Sequence, residues 1–312
     1  MSNVDMKQVK ELRDRTQAGL NDCRAALIEA SGDMEKAVEV ILKKGLAKSA
    51  KRAGAIATEG VVAAAVSADG KMGVLVEVNI QTDFAARNAD FLKFVDGVVA
   101  AALKTKNGTD LGTEPFPGGS DTVEATRQAL VGKLGENITV RRWERVTLDG
   151  PGKVHSYVHL GGKVGVLLGV RAGSDAAAKS PAFDKFADDT SMQAAAMSPL
   201  YLAASEVPDD AKKQQSAIFE AQLGEDPKAP PKDKWPRVIE GKLAKWVKEV
   251  CLLEQASVLE TDKTVDQIRA ALAKELGTDV VLARFVRFER GEGVEKPTGG
   301  DFAAEVAKMA GG

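Results

Sequence analysis

The chain is poor in the residues that metal, redox and base-stacking chemistry require. It holds two Cys and two His in 312 residues. A Cys/His zinc site takes about four closely spaced ligands, whereas Cys23 and Cys251 lie far apart and no CxxC occurs. The same count supplies no disulfide framework and points to a reducing, cytoplasmic compartment. Aromatic residues make up 5%, too few for a single-strand stacking platform. Neither charge sign is in excess: 43 Lys and Arg stand against 45 Asp and Glu, a formal net charge of -2. That balance argues against a coat for DNA or for an anionic membrane, since either demands a basic surplus. Long apolar runs are missing too. The longest uncharged stretch, 190–205, has 16 residues and contains Pro199, short of the ~18–20 apolar residues of a membrane span. The start, MSNVDMKQVKELRDR, is charged from Asp5 onward and has no apolar h-region, so it does not read as a secretory signal.

Catalytic signatures are equally scarce. Gly-Lys pairs occur at 70–71, 132–133, 152–153, 162–163 and 241–242, none followed by Ser or Thr, so none is a phosphate-cradling P-loop. GxGxxG, HExxH and a Ser-His-Asp order are absent. His155 and His159 share a face of a predicted strand, with no Cys or carboxylate near them in sequence, and read as surface or packing residues. These absences leave an enzyme possible but unsupported, and no cofactor or metal is expected.

What is present is helical periodicity followed by a duplication. Three short amphipathic helices are predicted at about 6–16, 21–30 and 34–44, with Asp33 capping the third and Gly45 ending it. The basic stretch LAKSAKRAG (46–54) reads as a linker or helical tail. Beyond it, a shift of 92 residues places Gly60, Val62, Gly70, Lys71, Gly73, Val74, Leu75, Asp83, Phe91 and Phe94 on Gly152, Val154, Gly162, Lys163, Gly165, Val166, Leu167, Asp175, Phe183 and Phe186. A shift of 142 places Thr122, Arg127, Leu130, Leu134, Gly135 and Arg142 on Thr264, Arg269, Leu272, Leu276, Gly277 and Arg284. Two copies of one unit result, 60–146 and 152–288, the second enlarged by 142 minus 92, or 50, residues.

Each copy reads strand, strand, helix, helix, strand: a small antiparallel sheet with helices, an α+β unit. The insert, at about 200–250, reads as a helical hairpin: one helix from Asp209 to Leu223, a Gly/Pro breaker, and a second over 237–254. In the second, Ile239, Leu243, Trp246, Val250 and Leu253 keep heptad spacing. That stripe fits packing on its own hairpin partner or contact with a second copy in a homodimer. The expected division is a helical domain with its linker at 1–54, subdomains at 55–149 and 150–290, and a C-terminal module at 291–312.

A duplicated unit reveals which residues the fold itself needs. Thr82-Asp83 faces Ser174-Asp175, a turn or N-cap kept in both copies. Phe84 faces Ala176. A methyl suffices for the fold there, so the ring reads either as a staple onto the next helix or as an exposed anchor for a protein partner.

At this point the sequence resembles a family. VKELRDRTQAGLNDCRAALIEASGDMEKAVEVI (9–41), EVNIQTDFAARNADF (77–91), SYVHLGGKVGVLL (156–168), VIEGKLAKWVKEVCLLEQ (238–255), RFERGEGVEK (287–296) and DFAAEVA (301–307) are similar, in order, to the blocks of bacterial elongation factor Ts. The resemblance implies a ubiquitin-associated-like three-helix domain at the amino terminus. It also implies a guanine-nucleotide exchange factor that binds elongation factor Tu, perturbs its Mg²⁺/phosphate site and releases GDP. Carried over residue by residue, the Mg²⁺-dislocating loop is Thr82, Asp83, Phe84 and Ala85, with Phe84 as the wedge. Arg13, Leu20 and Arg24 of the helical module, Leu134 and Gly135, and His159 of the second copy are the further contact residues implied. Two positions depart from the common pattern: Leu20 is followed by Asn21 rather than an apolar residue, and Ala85 stands where Val is common. The residues alone leave two other classes open: a non-catalytic protein- or RNA-binding adaptor using the helical module, and an enzyme using His155 or His159.

Overall fold

The computed structural model describes residues 4–295 except 17, 53 and 107. Of the module expected at 291–312, residues 296–312 lie outside the described residues.

The first three helices are α1 (Met6–Thr16), α2 (Leu20–Glu29) and α3 (Met34–Arg52). Their apolar stripes meet in a small core in which Val9, Leu12, Cys23, Ala26, Leu27 and Ala37 are fully buried. Asp33 begins α3 as expected, its Oδ1 accepting the Lys36 N–H at 3.1 Å. Gly45 does not stop it. The helix runs through Gly45 to Arg52 because this glycine marks a close crossing with a later helix, Val123–Leu134: a methyl built on Gly132 there would lie 2.9 Å from the Gly45 Cα. A methyl on Gly45 would meet nothing within 4 Å. The two glycines therefore predict opposite results. Gly45→Ala should raise stability in urea unfolding by about 0.5–1 kcal/mol, the ordinary gain of helical Ala over Gly. Gly132→Ala should lower it by about 1 kcal/mol or more, since rigid backbone blocks the methyl. Equal effects would show that the crossing is not held that closely.

The first copy of the repeat comprises β1 (Glu59–Val66), β2 (Met72–Ile80), α4 (Asp83–Ala86), α5 (Ala89–Lys104), α6 (Val123–Leu134) and β3 (Ile138–Thr147). The second comprises β4 (Gly152–His159), β5 (Val164–Ala172), α7 (Asp175–Ala178), α8 (Pro181–Met197), the hairpin α9 (Asp209–Glu225) and α10 (Trp235–Val250), then α11 (Val265–Leu276) and β6 (Val280–Glu289). The architecture is α+β, with two three-stranded antiparallel sheets ordered β1-β2-β3 and β4-β5-β6. Alternation in β2 sends Val74, Val76, Val78 and Ile80 toward α5, whose Phe91, Phe94, Val95 and Val98 form the opposing face. In the second copy β5 meets Phe183 and Phe186 of α8 in the same way.

The other faces of the two sheets pack on each other, burying Val62, Leu75, Val146, Leu148, Val154 and Leu167. This contact has a pseudo-two-fold character. A side chain at Gly73 would strike Val154 and Leu167, and one at Gly165 would strike their counterparts Val62 and Leu75. Val62 N–H donates to Gly162 O at 2.8 Å, and Val154 N–H to Gly70 O at 2.7 Å. Both middle strands carry a bulge at the equivalent place, Glu77/Val78 and Gly169/Val170.

The hairpin differs from expectation at its end. Cys251 leaves α10 in extended conformation and bridges Tyr201, and Leu252 and Leu253 donate to Tyr201 O and Leu202 O at 2.9 and 3.0 Å. Leu253 therefore falls outside the helical stripe. Ile239 and Leu243 face α9, where they share a cleft of about 520 Å³ with Ser216 and Ala217. Among the described residues no helix is long and apolar enough to cross a membrane.

Candidate partner-binding site

The loop that carries Phe84 is built from the end of β2. Thr82 is extended and its Oγ accepts the Ala85 N–H at 3.2 Å. Ala86 N–H donates to Thr82 O at 3.1 Å. Asn88 then caps α5, accepting the Asp90 N–H at 2.9 Å. Ala86 is buried against the first core and anchors the turn. The cap belongs to Thr82. Asp83 sits in the first turn beyond it, exposed and 3.4 Å from Arg87.

Phe84 is 82% exposed. It staples nothing. The second copy repeats the scaffold with Ser174 accepting the Ala177 N–H at 3.2 Å and Ala177 and Ala178 buried, but it carries Ala176 at the tip. One backbone device thus presents a full ring to solvent in one copy and a methyl in the other.

α6 gathers further candidate residues around this loop. It ends at Leu134 and closes with Gly135 in the left-handed region (φ 75°), where its N–H donates to Val131 O. Lys133 reaches Asp90 at the start of α5 at 2.7 Å. Glu136 accepts from both the N–H and the hydroxyl of Thr82, at 3.1 and 2.7 Å. Gly132, two residues before Leu134, is the crossing point with α3. The helical module, Leu134-Gly135 and the Phe84 loop are therefore joined at one end of α6. On the module, Arg13, Leu20 and Arg24 are all exposed, Leu20 at 41%.

His159 lies on the other copy, at the β4–β5 tip. It is exposed, stacks on Tyr157 with centroids 5.8 Å apart, and its Nδ1 is 2.9 Å from the Tyr157 hydroxyl. Beside it, Leu160 is 70% exposed with φ 48°, a conformation unusual for a branched side chain. Sequence reading missed Leu160 and Glu136, although the rule that found Phe84 applies to both. Their counterparts in the other copy are Ala68 and Thr278.

His155 does acquire carboxylates, from α8. Its Nδ1 is 3.2 Å from Asp188, and its Nε2 is 3.7 Å from Asp184, which also holds Lys153 at 2.6 Å. The imidazole lies against Phe183 in this surface network. Among the described residues no group of three or more His, Cys, Asp or Glu could hold a metal ion. Burial pushes the Cys251 thiol up to about 11 and raises Cys23 as well, so neither is a thiolate at neutral pH.

A sequence model of the family described as elongation factor TS matches residues 81–292. The chain is 43% identical over 310 residues to elongation factor Ts of Clostridium botulinum (strain Alaska E43 / Type E3), covering 99% of both chains. It is 42% identical over 310 residues to that of Clostridium perfringens (strain SM101 / Type A), again covering 99% of both. Against that of Trichlorobacter lovleyi it is 44% identical over 311 residues, with the same coverage.

Proposed function

Since this chain belongs to the elongation factor Ts family of translation elongation factors, we propose that it is the guanine-nucleotide exchange factor of elongation factor Tu. The observation that carries the reading is Phe84, an 82%-exposed ring on a capped, anchored turn whose twin needs only Ala176.

The partner holds GDP through a P-loop and a Mg²⁺ that bridges phosphate oxygens. Thr82, Asp83, Phe84 and Ala85 enter its GTPase domain beside that site. The Phe84 ring displaces groups that hold the metal, and the loosened phosphates leave. Arg13, Leu20 and Arg24 grip the same domain together with Leu134 and Gly135, while His159 at the other end contacts a different domain of the partner. In this division of labour residues 1–54 and 55–149 work on the GTPase domain and 150–290 on the rest of the partner, with 291–312 as an additional grip. Linkage gives the thermodynamics: a factor that weakens GDP binding by some ratio is itself bound more weakly, by the same ratio, when GDP is present. It therefore dissociates once nucleotide returns and acts on many partner molecules. The chain supplies no catalytic residue of its own.

The test is release of labelled GDP from purified elongation factor Tu. Substoichiometric amounts of this chain are expected to accelerate release, and the chain alone to retain no nucleotide. Binding without any change in the GDP off-rate would replace this reading with that of an adaptor.

A further inference from the structure

We propose that Glu136 is a positioning residue for Phe84: its carboxylate clamps the root of the loop to the end of α6. The two carboxylate oxygens take separate donors from one residue, the Thr82 N–H at 3.1 Å and the Thr82 hydroxyl at 2.7 Å. Because that hydroxyl gives its proton to Glu136, its lone pair is turned toward the Ala85 N–H, which it accepts at 3.2 Å. The carboxylate thus orients the cap as well as holding it. The next residue repeats the attachment: Asn137 N–H donates to the Gln81 side-chain oxygen at 2.7 Å. Asn137 also donates its amide to Ala55 O at 2.7 Å, tying in the segment that arrives from the helical module.

The second copy shows that the fold does not require this clamp. Thr278 replaces Glu136, and Ser174 still caps its turn. There the attachment is a backbone bond alone, Gly173 N–H to Asp279 O at 2.9 Å. Phe84 and Glu136 in one copy thus correspond to Ala176 and Thr278 in the other, so the clamp occurs where there is a ring to aim. A four-residue helix is too short to hold its own shape. An exposed ring on such a turn needs an outside brace if it is to enter a partner without first being ordered.

The test is Glu136→Thr, which imports the residue used by the twin and so spares the fold. Amide hydrogen exchange on the free protein is read first and does not depend on the exchange-factor reading. The Ala85 and Ala86 amides are expected to exchange at least about tenfold faster, the loss of a charged hydrogen-bond acceptor, with the β2 amides unchanged. Unchanged protection at Ala85 and Ala86 would overturn the clamp. The second readout rests on the proposed function. Glu136→Thr should lower GDP-release acceleration about tenfold in the wild-type background and have no further effect in a Phe84→Ala background. An equal loss in both backgrounds would overturn the claim that Glu136 acts through Phe84. If the wild-type chain did not accelerate release at all, the exchange reading would fall while the amide result would still judge the clamp.

Discussion

Phe84→Ala is expected to lower the acceleration of GDP release by about 30-fold or more and to leave unfolding in urea within about 0.5 kcal/mol of wild type. The first figure follows from what a central aromatic anchor contributes at a protein interface, about 2 kcal/mol or more, with each 1.36 kcal/mol worth a factor of ten in rate. The second follows from exposure. A ring that is 82% exposed buries little apolar surface in the free protein, and surface changes of this kind are near neutral. The twin turn with Ala176 keeps an equivalent hydroxyl cap and buries Ala178 as the first turn buries Ala86, so truncation leaves a geometry this chain already uses. Stopped-flow release of labelled GDP, paired with urea unfolding of the free protein, measures both. Release at the wild-type rate would remove Phe84 from the mechanism. A stability loss near 2 kcal/mol would instead mean that the ring packs on the fold in solution.

The split between what was legible and what was not follows the range of the forces involved. Helix and strand positions rest on local periodicity and caps, and the repeat supplied each of those twice. Thr122 and Thr264 both cap, Gly135 and Gly277 both close in the left-handed region, and Arg127 and Arg269 both donate to the first carbonyl of the following strand, Ile138 and Val280. Gly45 misled because a glycine after an amphipathic run looks like a stop. Its real neighbour is Gly132, 87 residues further on, and no local pattern contains that contact. The end of α10 misled similarly: Leu253 keeps the heptad spacing, but Cys251 is taken by an extended pairing with Tyr201. At the candidate site, Phe84 stood out because the two copies differ there. Glu136 differs as well, yet its meaning depends on knowing that it touches Thr82.

Glu77 is the residue whose sequence position said least about its role, and its removal should have the largest effect on stability. Alternation puts it on the face of β2 opposite Val76 and Val78, the face that carries Leu75 into the contact between the sheets, where it is fully buried with the turn after β6 against its carboxylate. Its carboxylate takes Arg141 Nη1 at 2.9 Å, Arg142 Nε at 2.6 Å, Asn79 Nδ2 at 3.0 Å and the Gly291 N–H at 2.7 Å. Arg141 also donates to Glu292 O, and Arg142 to Glu289 O, so the cluster binds the turn that follows β6 to the first sheet. In the other copy Gly169 and Ala283 stand at the positions of Glu77 and Arg141 while Arg284 keeps that of Arg142, and Gly169 faces Val146 and Leu148 instead. Glu77→Ala removes the buried acceptor that two arginines, the Asn79 amide and the Gly291 N–H share, leaving the arginines only Glu292 and Glu289 and the amide only Glu59 O. Truncating one side of a buried pair costs about 3–5 kcal/mol, and the partly solvated arginines place this case near 3 kcal/mol. Burial pushes the Glu77 carboxyl up, but the Gly291 N–H, Asn79 and Arg142 outweigh it and hold the group below its ordinary value of 4.5. A depressed carboxyl stabilises the folded state fully above that ordinary value and loses the contribution as pH falls through the folded one. The gap between wild type and Glu77→Ala in urea unfolding should therefore be widest near pH 7 and shrink below about pH 4.5. A gap that is small at pH 7, or one that does not narrow in acid, would show that the carboxylate charge is not what holds the turn.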